Sequence, residues 1–283
     1  MALDTRRSDT VSGETLLSAY DPLPVRIINP GGTSSFLLIG DHAGNLVPER
    51  LQSLGLPAVE LERHIGWDIG IGDLGPLLAD KLDAVFIRQT YSRLVIDCNR
   101  DPARADAMPE VSDLTIVPGN IALTPEQRSA RVAAIQVPYQ TAIGAELARR
   151  DAAGMATILV SLHSFTPAMQ GVARPWQVGV LHDRGNTTFA LALIAAFERA
   201  GDLTVGDNEP YSMDTIDYTV PRHAYERDRP YAEIEVRQDL IATAEGCIEW
   251  AERLSHALAA AAWGESVLIR RIARLSCPSG FPR

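Results

Sequence analysis

Two histidines and a glutamate stand at the ends of, or within, short apolar runs, and together they are the parts of a zinc hydrolase. His163 lies in Ser-Leu-His-Ser-Phe at 161–165, directly after the apolar, β-prone run 157–160. His42 follows Phe-Leu-Leu-Ile-Gly at 36–40 and opens the turn Asp-His-Ala-Gly-Asn at 41–45. Glu235 sits in Glu-Ile-Glu-Val at 233–236, where alternation puts Glu233, Glu235 and Arg237 on one face of a strand and Ile234 and Val236 on the other. Neutral imidazole is a metal ligand, and a carboxylate in a cleft can serve as a general base. Each residue also has a plainer reading. His42 alone reads as a turn histidine bonded to backbone. His163, a polar group at the end of an apolar strand, needs a partner, and a metal or a side chain fits equally. The Glu233–Arg237 face also suits an edge strand with Glu–Arg pairs.

Two further segments carry chemistry. Tyr-Ser-Arg-Leu-Val-Ile-Asp-Cys-Asn-Arg at 91–100 flanks a short apolar run with Arg93 and Arg100, whose guanidinium forks bind carboxylates or form ordinary surface ion pairs. His-Ile-Gly-Trp-Asp at 64–68 puts Asp68 just before a helical pattern, where it reads as a helix cap. No G-x-S-x-G elbow, Gly-rich phosphate cradle or H-E-x-x-H helix is present. Any metal site must therefore be assembled from distant segments.

The elements that position these residues alternate between strand and helix. Strands are expected at Val25–Ile28, 35–39, 85–87, 94–96, 157–162, Val178–Leu181 and 233–236. Helices are expected at 69–82, from the Thr124-Pro125-Glu126-Gln127 capping box toward Arg150 with Pro138 kinking or splitting it, from an Asn186 cap through Arg199, and over 246–263. Ile248, Ala251, Leu254 and Leu258 form the expected apolar stripe of that last helix. Residues 101–120 and 206–230 read as long loops, and 1–22 as a flexible N-terminal arm. The expected fold is α/β: one domain over 23–283, with a central mixed β-sheet and helices on both faces. Ligands in such sheets sit outside the strand ends.

Composition narrows the function classes. A formal charge of −10 argues against non-specific nucleic-acid binding, and the basic tail of Arg270, Arg271, Arg274 and Arg283 reads as a solvated end. Three scattered cysteines favour a reducing compartment over a disulfide framework. The N-terminus lacks the apolar core of a signal peptide, and no apolar run approaches the roughly 20 residues of a membrane helix. A cytoplasmic protein with no membrane partner is expected, and a homo-oligomer is compatible with the sequence.

Taken in order, six motifs resemble the N-formylglutamate amidohydrolase family: those at 41–45, 64–68 and 91–100, His-Ser-Phe-Thr-Pro at 163–167, Gly-Asp-Asn-Glu-Pro-Tyr-Ser at 206–212 and Glu-Ile-Glu-Val-Arg-Gln-Asp at 233–239. The resemblance runs from about Leu37 to about Trp250 and extends distantly to the zinc carboxypeptidases. It implies a three-layer sandwich of the zinc-exopeptidase, phosphorylase/hydrolase-like kind. It also implies one Zn2+ per chain, bound by His42 and His163, with Glu235 activating water and Arg93 stabilising the oxyanion. Asn99 and Arg100, with Ser164 and Arg174, are the implied substrate-binding set. Carboxypeptidases place a glutamate ligand three residues after the first histidine, where this chain has Asn45. Asp68 is the favoured third ligand in its place. The implied substrate is a small acidic N-acyl amino acid such as N-formylglutamate. The alternatives are an exopeptidase or amidase acting on another acidic amide, and a metal-free small-molecule binding protein.

Overall fold

The computed structural model describes residues 15–213 and 217–275, with side chains through residue 262. In chain order the strands are β1 Val25–Ile28, β2 Phe36–Gly40, β3 Val85–Gln89, β4 Val111–Ser112, β5 Thr115–Ile116, β6 Ile158–Phe165, β7 Ala168–Met169, β8 Val172–Ala173, β9 Val178–Leu181, β10 Val205–Asp207 and β11 Tyr231–Arg237. The helices are α1 Ala58–Leu61, α2 Ile71–Leu82, α3 Pro125–Arg131, α4 Val137–Ala152, α5 Thr188–Ala200, α6 Thr219–Ala224 and α7 Ala244–Leu275.

Seven strands form one mixed sheet in the order β1-β3-β2-β6-β11-β9-β10. The four at its centre, β3, β2, β6 and β11, run parallel, while β1 and β9 are antiparallel to their inner neighbours. Parallel strands must be covered on both faces, and two apolar layers do this. Leu38, Phe86, Val160, Leu162, Ile234 and Val236 pack with residues of α2, α5 and α7 on one face. Leu37, Ile39, Ile87, Leu159 and Tyr231 pack with residues of α4, α6 and the 94–98 segment on the other. The expected three-layer α/β architecture is what the chain adopts.

Local sequence explains how the helices reach the sheet. Pro76 lies inside α2 and has no N–H for the Gly72 carbonyl. The Arg88 guanidinium of β3 donates to that carbonyl instead, at 2.7 Å, tying helix to sheet. Thr124 and Gln127 form the expected capping box. Pro138 divides the long helix as expected, and the break takes the form of a π-helical segment over residues 132–136 between α3 and α4. The expected cap at Asn186 is displaced by one residue: Thr187 occupies the N-cap position of α5, and Asn186 stands before it with Oδ1 accepting from Thr188 N at 3.3 Å.

Several expectations are corrected. Leu94, Val95 and Ile96 are buried but form a turn rather than a strand. Ser92 folds the segment back by accepting from Leu94 N through its hydroxyl and from Val95 N through its carbonyl. The side chains of Asn120 and Arg131 satisfy the Leu94 and Val95 carbonyls, so no neighbouring strand is needed. The strand holding Glu235 is interior, between β6 and β9, not an edge. Ile248 is exposed, and Cys247 and Trp250 join Ala251, Leu254 and Leu258 on the buried stripe of α7. The loop 101–120 contains the β4–β5 hairpin, and 206–230 contains α6. Within the expected arm, Leu16 and Leu17 pack against the second apolar layer, and residues 1–14 lie outside the described residues. The side chains of Arg270, Arg271, Arg274 and Arg283 also lie outside them. Among the described residues no helix is long and apolar enough to cross a membrane.

The fit of α2 on the sheet is testable at Gly75. A Cβ there would stand 2.2 Å from the fully buried Phe86 ring. Alanine is the better helix former by about 1 kcal/mol. Gly75→Ala should nonetheless lower unfolding free energy by about 1–3 kcal/mol through overpacking, read from urea denaturation.

Candidate active site

The site forms where one face of the sheet changes character. Along β6, Leu159 is followed on the same face by Ser161 and His163; along β11, Tyr231 is followed by Glu233 and Glu235. Register places Ser161 opposite Glu233 and His163 opposite Glu235. Neighbouring β2 ends at Gly40 and delivers Asp41 and His42 beyond the same strand ends. The turn at 41–45 is pressed against the exit of β3. A Cβ on Gly44 would fall 2.2 Å from the Thr90 carbonyl oxygen, so glycine is required for that approach.

Asp68 is held into this group from the loop before α2, its N–H donating to His42 O at 2.9 Å. It does not cap the helix: Gly70 occupies the N-cap position. The Asp68 carboxylate instead stands between the histidines, with Oδ2 2.9 Å from His163 Nδ1 and 3.5 Å from His42 Nδ1. Ser164 N also points to Oδ2, at 3.3 Å. Behind each imidazole stands another carboxylate. His42 Nε2 is 2.7 Å from Asp97 Oδ1, and His163 Nε2 is 3.5 Å from Asp41 Oδ2 and 3.0 Å from Ser161 Oγ. Arg93 donates to Asp97 Oδ2 through Nε and Nη2, at 3.1 and 2.7 Å, and its Nη1 lies 3.6 Å from Asp68.

This donor set fits a divalent cation. Ligand atoms of His42, Asp68 and His163 all lie within 4.8 Å of one another, and all three residues are buried. Asp97 can only accept from His42 Nε2, so Nε2 carries a proton. Burial and Arg93 oppose a charge on the ring, yet Asp97 and Asp68 raise it above the ordinary value, and whenever the ring is neutral its Nδ1 lone pair is turned toward Asp68. Nδ1 has no hydrogen-bond partner. A lone pair facing a carboxylate in a buried site calls for a positive charge between them. A histidine that offers one nitrogen inward and gives its other N–H to a carboxylate is the usual outer support of a metal ligand.

The titration behaviour points the same way. Burial alone would raise the Asp97 carboxyl, but Arg93 and then His42 hold it well below the usual range. Asp68 is likewise lowered against burial, by His42 and then by its bond to His163. Burial opposes a charge on His163, yet Glu233, and then Asp41 and Asp68, raise it well above the ordinary value. Burial pushes Glu235 up to about 7, with His163 opposing. Glu233 is raised well above the usual value, chiefly by burial. The centre therefore favours positive charge. Oε2 of Glu235 and Oε2 of Glu233 are both buried without hydrogen-bond partners.

A cavity of about 470 Å³ opens onto this group. His42, Asp68, Arg93, Asn99, Arg100, His163, Ser164 and Glu235 all line it. Of the sequence-derived set, Arg174 stands behind the wall, donating to Tyr211 Oη at 3.0 Å and lying over the Tyr211 ring at 4.8 Å. Asn45 does not line the cavity. Ser164 Oγ is held by the Ile69 carbonyl at 2.9 Å. Sequence reasoning missed Asp41 and Asp97 as supports of the histidines, Glu233 as a second carboxylate beside His163, and Asp217 and Tyr211 in the wall. Asp41 and Asp97 lie within the quoted motifs, and Glu233 was placed on the face of Glu235 by alternation, so residue types were visible and pairings were not.

The model of the N-formylglutamate amidohydrolase family matches residues 34–242. A crystal structure of a gene product from Agrobacterium tumefaciens is similar at 34% identity and a TM-score of 0.86, over 89% of this chain and 99% of that one. The crystal structure of N-formylglutamate amidohydrolase from Ralstonia eutropha shares the fold at 20% identity and a TM-score of 0.63, over 86% of this chain and 98% of that one. No curated protein matches.

Asp97 gives the test of this charge arrangement. It is 4% exposed and serves both His42 and Arg93. Asp97→Ala leaves a buried guanidinium and imidazole without their acceptor and should lower unfolding free energy by about 3–5 kcal/mol. Chemical denaturation measures the loss; an unchanged midpoint would contradict the arrangement.

Proposed function

Because the chain belongs to the N-formylglutamate amidohydrolase family and is therefore an amidohydrolase, we propose that it hydrolyses the amide of an N-formyl amino acid with the help of one divalent cation. N-formylglutamate is the proposed substrate, and zinc the proposed metal, because two imidazoles and a carboxylate with one position left for water or substrate are a catalytic zinc ligand set. The observation that carries this reading is the unpartnered Nδ1 of His42 facing Asp68 beside His163.

His42, Asp68 and His163 would hold the cation, with Asp97 and Asp41 fixing the two rings from behind. A bound cation supplies Lewis acidity at the scissile carbonyl and acidifies water. Glu235 lies directly across from His163, and its buried Oε2 has no hydrogen-bond partner. In the proposed reaction it takes the proton from the attacking water and passes it to the leaving nitrogen. Arg93, anchored on Asp97, presents its guanidinium toward the cavity and stabilises the negative charge that develops on the formyl oxygen. Asn99 and Arg100 lie in the cavity wall, and in this reading they would hold the amino-acid part. The products are formate and the free amino acid.

Metal content and turnover test the two halves of this reading separately. Mass spectrometry of the purified wild type should find about one equivalent of metal per chain, and His163→Ala should lose it. Formate release from N-formylglutamate should cease on chelation and return with added zinc. Glu235→Gln should keep the metal and lose turnover by about 10²–10⁴-fold. Full activity in Glu235→Gln would remove Glu235 as the base, and activity undiminished in metal-stripped protein would remove the cation.

A further inference from the structure

One carboxylate of the chain already sits where an acidic ligand would be gripped. Asp217 lines the cavity just before α6. Asn99 Nδ2 donates to its Oδ1 at 3.2 Å, and Arg100 Nη1 is 3.6 Å from the same oxygen. Convergence of an amide N–H and a guanidinium on one carboxylate oxygen is a carboxylate clamp.

The clamp is rigid on the Asn99 side. Asn99 Oδ1 accepts from Tyr218 N at 3.0 Å and Thr219 N at 2.9 Å, while its backbone N–H donates to Asp97 at 2.9 Å. With its carbonyl end committed, the amide must aim Nδ2 at Asp217. Arg100 is steadied by its own bond to Asn99 O at 3.1 Å, and its Nε lies 3.8 Å from Asp106 Oδ2, away from the nitrogen that meets Asp217. The other cavity arginine, Arg93, is committed to Asp97 through two nitrogens. A ligand carboxylate entering this part of the cavity therefore meets a clamp that an internal carboxylate holds.

We propose that Asp217 is a specificity-determining residue whose carboxylate competes with that of an acidic ligand for the Asn99–Arg100 clamp. The ligand must displace Asp217 or bind beside a like charge, so affinity reflects the difference between two carboxylates rather than the strength of the clamp alone. A neutral ligand of the same shape does not contest the clamp and is indifferent to Asp217. The choice of an acidic ligand rests on the proposed function; the occupied clamp does not.

Glutarate and its neutral diamide, glutaramide, separate charge from shape. Calorimetric titration of both into the full-length wild type and Asp217→Asn measures the competition without turnover. Asp217→Asn should bind glutarate at least about tenfold more tightly, the size of one charged hydrogen bond, with glutaramide affinity unchanged. Adding Arg100→Met to Asp217→Asn should abolish the gain. Thermal melting monitors folding, and Asp217→Ser replaces Asp217→Asn should the latter fail to fold. Unchanged or weaker glutarate binding in the folded variant overturns the proposal, as does an equal gain for glutaramide. A glutarate gain in a protein that releases no formate from N-formylglutamate upholds the clamp competition and rejects the substrate. Formate release without a glutarate gain does the reverse.

Discussion

The constraint on which this structure depends is the burial of several carboxylates around two imidazoles at the floor of the cavity. Asp41, Asp68, Asp97, Glu233 and Glu235 are all buried, and such charges are tolerated only when paired and hydrogen-bonded. Arg93, His42 and His163 supply positive partners. Backbone N–H groups of Asn99 and Ser164 and the hydroxyls of Ser161 and Thr219 supply donors. The partners come from chain segments more than a hundred residues apart, as with Asp41 and Thr219. Assembling the site and closing the fold on this face are therefore one event, and the strongly shifted carboxyl and imidazole equilibria record how tightly these charges depend on one another.

The sheet makes that confinement affordable by dividing labour between its faces. On the α2/α5/α7 side the strand residues stay apolar as far as Leu162 and Val236, one residue from His163 and Glu235, and turn polar only beyond them at Ser164, while Arg88 of β3 reaches α2. That core holds β2, β6 and β11 in register while the opposite face turns polar. Period-two alternation lets one strand do both, and a one-residue slip of β11 would exchange Glu235 for Ile234 or Val236. The Gly44 approach to Thr90 and the Arg88 bond to α2 fix the two loops that bring His42 and Asp68 to the strand ends.

What the sequence made legible follows from how local each signal is. Strand alternation at 233–236, the capping box at Thr124 and the Pro138 break are set by neighbours along the chain, and each is found in the structure. The run Leu94, Val95 and Ile96 misleads because an apolar triplet reports burial but not conformation. Its carbonyls are taken by Asn120 and Arg131, whose arrival no local pattern encodes. Ile248 misleads by phase: a small rotation of α7 substitutes Cys247 and Trp250 on the buried stripe. The placement of His42, Asp68 and His163 together was legible only through the ordered motifs. Asp97 behind His42 and Asp217 on Asn99 are long-range pairings and left no trace in spacing.

The same long-range pairings join the two ends of the cavity. Asn99 and Thr219 each touch both: Asn99 supports Asp97 with its backbone and receives α6 with its side chain, and the Thr219 hydroxyl donates to Asp41 behind His163. Gln140 of α4 extends the connection, donating to the Thr219 hydroxyl at 3.0 Å and accepting from His223 of α6 at 2.8 Å. His223 is itself pushed down to about 4 by burial and by Arg222, which keeps it neutral and its bond to Gln140 directional. The start of α6 thus cannot shift without disturbing a hydrogen bond to a carboxylate that holds a histidine. Asp217, two residues before Thr219, sits on that same start. The wall formed by Asn99 and Asp217 and the group around His42 and His163 are parts of one hydrogen-bonded body, so a shift of one is felt as a change in the orientation of the other.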